Sequence, residues 1–358
     1  MEEVSRVRTE IDRIDEELVL LLKARYELAK QVGRIKKTQG LGIRDLRREH
    51  AILREVRKIA SANSLPTGPI RRIFIEVFNL SVEAQRPRNV WRDLQGLEVL
   101  VAGGTGGMGR LFAGIFANHG ASVRIFGRTD TRNRKVAREI GVLPGKHSDA
   151  RQADIVIVSV PMDTTLRLSL KLGSIMKPES ILADLSSVKT GIADLAEKGT
   201  EQIEYVSLHP LFGPDIAHIG RQQIAAIPYR AGILWKKLQL VFREEGARVI
   251  LTTLREHDMM MAHIQAIQHF ALISLGMTIG KTTGEFATRS FRATEDQIRR
   301  IVKNWDTIVG IQRLNPFASQ EREDFRSTVN NIAAMSPADS RMAFRVLKGH
   351  VQKWSRKQ

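Results

Sequence analysis

Residues 97–109 read LEVLVAGGTGGMG. Leu97–Ala102 is a short apolar run that enters a glycine cluster, and Gly104-Thr105-Gly106-Gly107-Met108-Gly109 spells GxGxxG. A helical stretch follows, then a second apolar run, Ser122–Phe126. In this order the glycines permit a tight turn and let backbone N–H groups approach a pyrophosphate at a helix N-terminus. A lone GxGxxG is weak evidence, and its strand–motif–helix–strand setting is what strengthens it. Further apolar runs at Ile155–Val160, Ile181–Leu185 and Tyr205–Leu208 alternate with helical stretches. The alternation predicts a parallel, doubly wound α/β sheet of Rossmann type that binds a dinucleotide.

The end of the second run bears on the cofactor. A site preferring NAD carries Asp or Glu there, about 20 residues past the first glycine, to hold the ribose 2′-hydroxyl. This chain reads Phe126-Gly127-Arg128-Thr129. A guanidinium without an acid suits a 2′-phosphate, so NADP is expected, with NAD the alternative and Arg128 as a solvated loop residue the bland reading.

Upstream, apolar residues at Val4, Val7, Ile11, Ile14, Leu18, Leu21, Leu28, Val32 and Ile35 follow a 3-4 step and predict one long helix. About 35 residues reach roughly 50 Å. Ninety residues cannot bury such a helix, so helices of a second chain are expected to cover it. The same stripe predicts Leu or Ile at position 25, where the chain has Arg25. A buried guanidinium needs an anionic partner or ligand. A turn at Gly40–Gly42, a helix from Asp45 to Ala62, a break at SLPTGP (64–69) and a helix from Ile70 to Gln85 complete this part. RPRNVWRDLQG (86–96) reads as a linker. From His257 onward the chain is helical again. The expected domains are 1–88, 95–254 and 255–358.

Composition narrows the function classes. With 358 residues, 42% hydrophobic and 27% charged, the chain has the make-up of an ordered globular protein. It has no cysteine, which excludes disulfides, thiolate nucleophiles and cysteine metal sites. No apolar run reaches membrane-spanning length and MEEVSRVRTE is not a secretory leader, so a cytoplasmic protein without membrane contact is expected. The net charge of +17 invites a nucleic-acid reading. It is spread evenly, however, at +6, +5 and +6 over residues 1–93, 94–250 and 251–358. An even spread fits anionic ligands better than a DNA-binding arm, so no nucleic acid is expected as a partner. The rival class, a basic nucleic-acid-binding protein with a vestigial Rossmann module, would show salt-dependent DNA retention and no turnover.

Residues 1–88 resemble the all-helical chorismate mutases. The resemblance rests on Arg8, Arg25, Val32-Gly33-Arg34-Ile35-Lys36, Asp45-Leu46-Arg47-Arg48-Glu49, Ser81 and Gln85. It implies two intertwined chains, with Arg8 entering the partner's site. It also implies that Arg8, Arg25 and Arg48 bind the carboxylates of chorismate, that Lys36 and Gln85 meet the ether oxygen, that Asp45 and Glu49 orient the ring hydroxyl, and that Ser81 belongs to the set. The rearrangement to prephenate is pericyclic and needs no acid, base, nucleophile or metal. Catalysis there comes from holding the compact conformer and stabilising charge on the ether oxygen, and arginines clamp carboxylates bidentately.

Residues 97–320 resemble the prephenate dehydrogenases, in VAGGTGGMGRLF (101–112), VSVP (158–161), DLSSVK (184–189), LHPLFGP (208–214) and EHDMMMAHIQAIQHF (256–270). The resemblance implies that Gly104–Gly109, Arg128, Thr129 and Ser159 contact the cofactor. It further implies that His209 meets the C4 hydroxyl, Ser187 assists that bond, Arg292 pairs with the ring carboxylate and His257 lies nearby. Hydride would leave C4 as His209 takes the hydroxyl proton, and loss of carbon dioxide would give 4-hydroxyphenylpyruvate. The two resemblances cohere, since one module's product is the next one's substrate in tyrosine biosynthesis. An arogenate dehydrogenase is the alternative within the enzyme class. The implied architecture is an all-α mutase module, an α/β Rossmann-type domain and an all-α C-terminal dimerisation domain, assembled as a homodimer.

Overall fold

The computed structural model describes residues 2–355 except 40–44, 86–93, 193–194, 196–197, 199–200, 217, 280–285 and 337–339. The turn expected at Gly40–Gly42 and most of the linker lie outside the described residues. The chain divides into two compact units, Met1–Asn89 and Val90–Gln358.

The first unit consists of α1 (Glu2–Thr38), α2 (Leu46–Ala62) and α3 (Thr67–Gln85). The third helix begins three residues before the expected start. Its first turn holds Pro69, which is tolerated there because that N–H has no intrahelical acceptor. Both α1 and α2 pack on α3. The face that α1 turns to α3 is only one edge of the apolar stripe. Arg25, Ala29, Gly33 and Lys36 are buried or half-buried, whereas Val4 (56%), Ile11 (51%), Leu18 (51%) and Leu28 (61%) are exposed. Arg25 lies one heptad from Leu18 and from Val32, in line with the stripe, and the edge of that stripe formed by Arg25, Ala29, Gly33 and Lys36 is the part that meets α3. A Cβ on Gly33 would lie 2.6 Å from Gln85 Cα.

The second unit is built on an eight-stranded sheet of order β3-β2-β1-β4-β5-β6-β7-β8. The strands are β1 (Glu98–Ala102), β2 (Ser122–Phe126), β3 (Leu143–Pro144), β4 (Ile155–Val158), β5 (Ile181–Asp184), β6 (Glu204–Pro210), β7 (Gln223–Arg230) and β8 (Arg248–Leu251). The runs at β1, β4 and β5 are near-continuously apolar because both faces are covered. Val99, Val101, Ile155 and Ile157 lie in one core with Phe112 and Phe242, and Leu100, Ala102, Val156 and Val158 lie in the other with Leu172. The expectation of a wholly parallel sheet needs one correction. β7 runs antiparallel to β6, and β8 is parallel to β7. The chain returns from β6 to β7 with no crossover helix in between, which permits the reversal. β7 escaped the sequence reading because Pro228 interrupts it, and proline is disfavoured inside a sheet. Here Pro228 pairs with Val206, next to a register shift at Tyr205/Val206 that absorbs the missing donor.

Helices α4 (Gly107–Asn118), α5 (Asp130–Ile140), α6 (Met162–Gly173) and α7 (Ile233–Glu244) accompany the sheet. The chain then continues through α8 (Leu254–Met261), a π-helical turn at Ala262–Ala266, α9 (Ile267–Ile279), α10 (Arg289–Lys303), α11 (Trp305–Leu314), α12 (Ala318–Ala333) and α13 (Ser340–Ser355). Among the described residues, no helix is long and apolar enough to cross a membrane.

Close packing of the glycine turn makes a graded expectation. A Cβ on Gly109 would sit 2.8 Å from Gly104 Cα and overlap the Gly103 carbonyl, whereas one on Gly114 meets nothing within 4 Å. Gly109→Ala should therefore cost about 1–3 kcal/mol, while Gly114→Ala, within the same helix, should gain up to about 1 kcal/mol. Urea unfolding midpoints should rank Gly114→Ala above wild type and Gly109→Ala below it.

Candidate active sites

In the first unit the Arg25 guanidinium reaches α3, where Nη1 donates to Val77 O at 3.1 Å and to Ser81 Oγ, and its carbon stands 5.8 Å from the Phe78 ring centre. Ser81 is buried and also donates to Val77 O at 2.8 Å. Gln85, one turn on, donates from Nε2 to Ser81 O at 3.1 Å, and its Oε1 is buried without a hydrogen-bond partner. Partial burial lowers the pKa of Arg25 from its ordinary value without threatening its charge. No carboxylate pairs with Arg25 among the described residues, so the anion its position calls for has yet to come from outside.

Asp45 caps α2, accepting from Arg48 N at 2.9 Å, which fixes the start of Asp-x-x-Arg-Glu. Arg48 is exposed at that start, and Glu49 and Lys36 are half-buried. Arg8 is exposed on α1, 17 residues before Arg25. At 1.5 Å per residue that separation is about 25 Å. One chain cannot bring both arginines to one small ligand.

In the second unit, β1, β4, β5 and β6 are mutually parallel, so their C-terminal ends share one edge. The glycine turn, Ser159, Asp184–Lys189 and His209 all stand there, where open α/β sheets bind ligands. Gly103 takes φ +80°, a conformation that favours glycine, and a side chain on it would overlap the Ser159 carbonyl. A Cβ on Gly104 would lie 2.5 Å from Ile125 Cβ. Gly106, by contrast, is exposed at the N-cap of α4, its N–H donating to Gly103 O at 2.9 Å, so that the following N–H groups of the first turn face outward without a side chain over them. The turn is a cradle that side chains would fill, and it fits a pyrophosphate. Pro214 Cβ stands 2.6 Å from where a Gly107 Cβ would be, so the His209-Pro210-Leu211-Phe212-Gly213-Pro214 segment folds back against the turn. Thr105 lies beside Gly127 with Met108 half-buried, and Arg128 and Thr129 are exposed. Arg128 forms no ion pair among the described residues. Asp130, the first residue of α5, is engaged by Asn133 Nδ2 at 3.5 Å.

His209 and His257 come together and are both buried. His209 Nδ1 is 2.9 Å from His257 Nε2, and the rings meet edge to face. His257 owes its place to Thr253, whose hydroxyl accepts from Glu256 N while the Glu256 carboxylate accepts from Thr253 N, starting α8 with a reciprocal cap. Behind them is a network the sequence reading passed over. His257 Nδ1 is 2.8 Å from Asp258 Oδ1. Asp258 also accepts from Lys189 N (2.9 Å), Thr190 N (2.7 Å) and Thr190 Oγ1 (2.6 Å). The wholly buried Lys189 ammonium donates to Leu208 O at 2.8 Å and stands 3.6 Å from Asp184 Oδ1. Tyr205 donates to Asp184 Oδ2 at 2.9 Å. Burial, reinforced by Lys189 and His257, holds His209 well below the ordinary imidazole pKa, and burial lowers that of His257 despite the bond to Asp258. Both imidazoles are neutral. The legible signals were an acid directly after His257 and a lysine in an otherwise apolar setting at DLSSVK.

Ser187 is half-buried on the same loop and its hydroxyl makes no hydrogen bond among the described residues. Arg292 is exposed in the first turn of α10, which Thr288 caps.

A dinucleotide fold with a buried histidine pair at its strand edge, joined to a helical unit with an unpaired arginine, defines a two-part enzyme with a nucleotide-dependent dehydrogenase half. Comparison with known proteins agrees. Residues 7–86 match the family model described as chorismate mutase type II, and residues 112–223 match that of the prephenate dehydrogenase nucleotide-binding domain. The T-protein of Haemophilus influenzae is 33% identical over 291 residues, covering 78% of this chain and 71% of its own. In fold, the second unit resembles Synechocystis arogenate dehydrogenase (TM-score 0.59, 21% identity, 73% of this chain and 100% of that one). It also resembles A. aeolicus prephenate dehydrogenase in complex with hydroxyphenyl propionate and NAD+ (TM-score 0.58, 19% identity, 74% and 98%). This chain belongs to the T-protein family, bifunctional chorismate mutase/prephenate dehydrogenases of tyrosine biosynthesis.

Proposed function

We propose that the two activities are carried by the residues assembled above, in a homodimer, with NADP preferred. For the mutase, Arg25 and Arg48 clamp the carboxylates, and Lys36 and the Gln85 amide meet the ether oxygen. Ser81 holds the Arg25 guanidinium in place, and Asp45 and Glu49 orient the ring hydroxyl. Arg8 comes from the second copy. Its separation of about 25 Å from Arg25 carries this reading, together with an α1 stripe left exposed from Val4 to Ile35. Met342, Phe344 and Leu347 of α13, also exposed, offer the dehydrogenase half its own dimer face.

For the dehydrogenase, the α4 turn holds the pyrophosphate, with Thr105, Gly107 and Met108 presenting backbone N–H groups, Gly106 giving the close approach, Ser159 alongside and Thr129 near the ribose. A nicotinamide held there would supply the acceptor for the C4 hydride. Neutral His209 accepts the C4 hydroxyl proton from its place at the end of β6, and Ser187 supports that bond. Arg292, exposed in the first turn of α10, is assigned to the ring carboxylate. Prephenate is the substrate, as the family's activity requires, and arogenate is the rival to compare. A cytoplasmic setting belongs to the same reading.

Chorismate supplied with each nicotinamide cofactor and followed at 340 nm tests the whole, and no reduced cofactor from chorismate or prephenate would overturn it. Arg25→Ala should abolish most mutase turnover, an effect of several kcal/mol on the transition state, while oxidation of supplied prephenate persists. A folded Arg25→Ala variant that retains mutase turnover would remove Arg25 from the site.

Cofactor choice rests on Arg128. Wild-type kcat/KM should favour NADP over NAD, and Arg128→Ala should erase that preference while sparing activity with NAD. A wild-type preference for NAD would make Arg128 a bystander, with Asp130 the acid to examine next.

A further inference from the structure

Behind His209 lies a chain of three groups whose donors and acceptors can be assigned in only one consistent way. Asp258 Oδ2 accepts from Thr190 N and Thr190 Oγ1, and Lys189 N leans on both oxygens. Burial alone would raise its pKa, but the bonds from His257, Thr190 and Lys189 outweigh that and lower it, so Asp258 is a carboxylate with nothing to donate. His257 must then carry its proton on Nδ1 and give it to Asp258 Oδ1. A neutral His257 has only a lone pair at Nε2, so the 2.9 Å contact is filled by a proton on His209 Nδ1. That leaves the lone pair of His209 on Nε2, which makes no hydrogen bond among the described residues.

We infer that Asp258 is a positioning residue that fixes the tautomers of His257 and His209 in series, aiming a lone pair of His209 at the substrate, and that completes a path for the proton His209 accepts. The inference rests on the dehydrogenase reading of this site. In the step itself, the C4–H pair would leave as hydride for the bound nicotinamide, the hydroxyl proton binds His209 Nε2, and the O–H pair becomes the new carbon–oxygen π bond. The Nδ1 proton of His209 shifts to His257 Nε2, leaving His209 neutral and the cation on His257, against Asp258. Charge favours this direction. The charged groups acting on the pair are Asp184 on β5, Lys189 on the following loop and Asp258 on α8, with Tyr205 on β6 bonded to Asp184 and Tyr229 on β7 stacked on Tyr205. Burial and Asp184 hold both tyrosines protonated, Tyr229 at about 12. The Asp258 carboxylate stands directly against His257, so a cation on His257 is the better placed of the two. A role limited to tying the 189–190 loop to α8 would need neither tautomer.

The test has two arms on the full-length protein. Histidine 15N NMR of the wild type above pH 8, assigned with His209→Asn and His257→Gln, should find both rings protonated on Nδ1. Protonation of His209 on Nε2 would overturn the inference. This arm needs no turnover, so it stands even if the protein oxidised neither prephenate nor arogenate, a result that would instead defeat the dehydrogenase reading. In the second arm Asp258→Asn offers an amide N–H to His257 Nδ1 and reverses both tautomers. Dehydrogenase kcat should fall at least a hundredfold with KM within threefold and mutase rate unchanged. The acidic limb of kcat should move to lower pH, because the carboxylate that favours the imidazolium is gone. A kcat within threefold of wild type, or an unmoved limb, would contradict it, and the wild-type spectrum decides if the variant fails to fold.

Discussion

Burying charge at the C-terminal edge of a parallel sheet is the constraint around which the larger unit is arranged. Lys189 is wholly enclosed, and an enclosed ammonium persists only where carboxylates and carbonyls surround it. Asp184 supplies one and Leu208 the other, from adjacent strands β5 and β6. Asp258 then anchors the 189–190 backbone from α8, and Asn315 Nδ2 donates to Asp258 O at 2.8 Å from beyond α11. The C-terminal helices are thus tied to the sheet through the same residues that stand behind the histidine pair. Structure and chemistry draw on one network.

The mutase unit solves the opposite problem. Its reaction needs no proton carrier, and the helices supply permanently charged or neutral donors around a space that Gly33 keeps narrow. Its long helix exposes the stripe that a globular unit would bury, and its arginines stand too far apart to serve one ligand within one chain. Both features are what the proposed homodimer would answer with a second copy of α1.

How far the sequence spoke depended on whether the signal was local. The strand–glycine–helix order, the long first helix and the capping box at Thr253 are short-range patterns and could be read directly. β7 could not, because Pro228 argues against a strand and only the register shift in β6 explains its tolerance. Arg25 was legible as the one cation in line with an apolar stripe, but its partners on α3 were not, since 52 and 56 positions separate it from Val77 and Ser81. Asp258 and Lys189 were invisible as a pair, since 69 positions separate them in the chain and only the fold joins them. The exposed Arg292 was legible as a residue type but not as a member of the His209 cluster.

The central claim is that a neutral His209, held at the strand edge, takes the hydroxyl proton as hydride leaves. Replacing it with Asn retains a hydrogen-bonding side chain and removes the base. Steady-state kinetics of His209→Asn with prephenate should show kcat lowered about a hundredfold or more, with KM changed far less and mutase turnover intact. A kcat near that of the wild type, with the same acidic limb, would place the proton acceptor elsewhere and contradict the account.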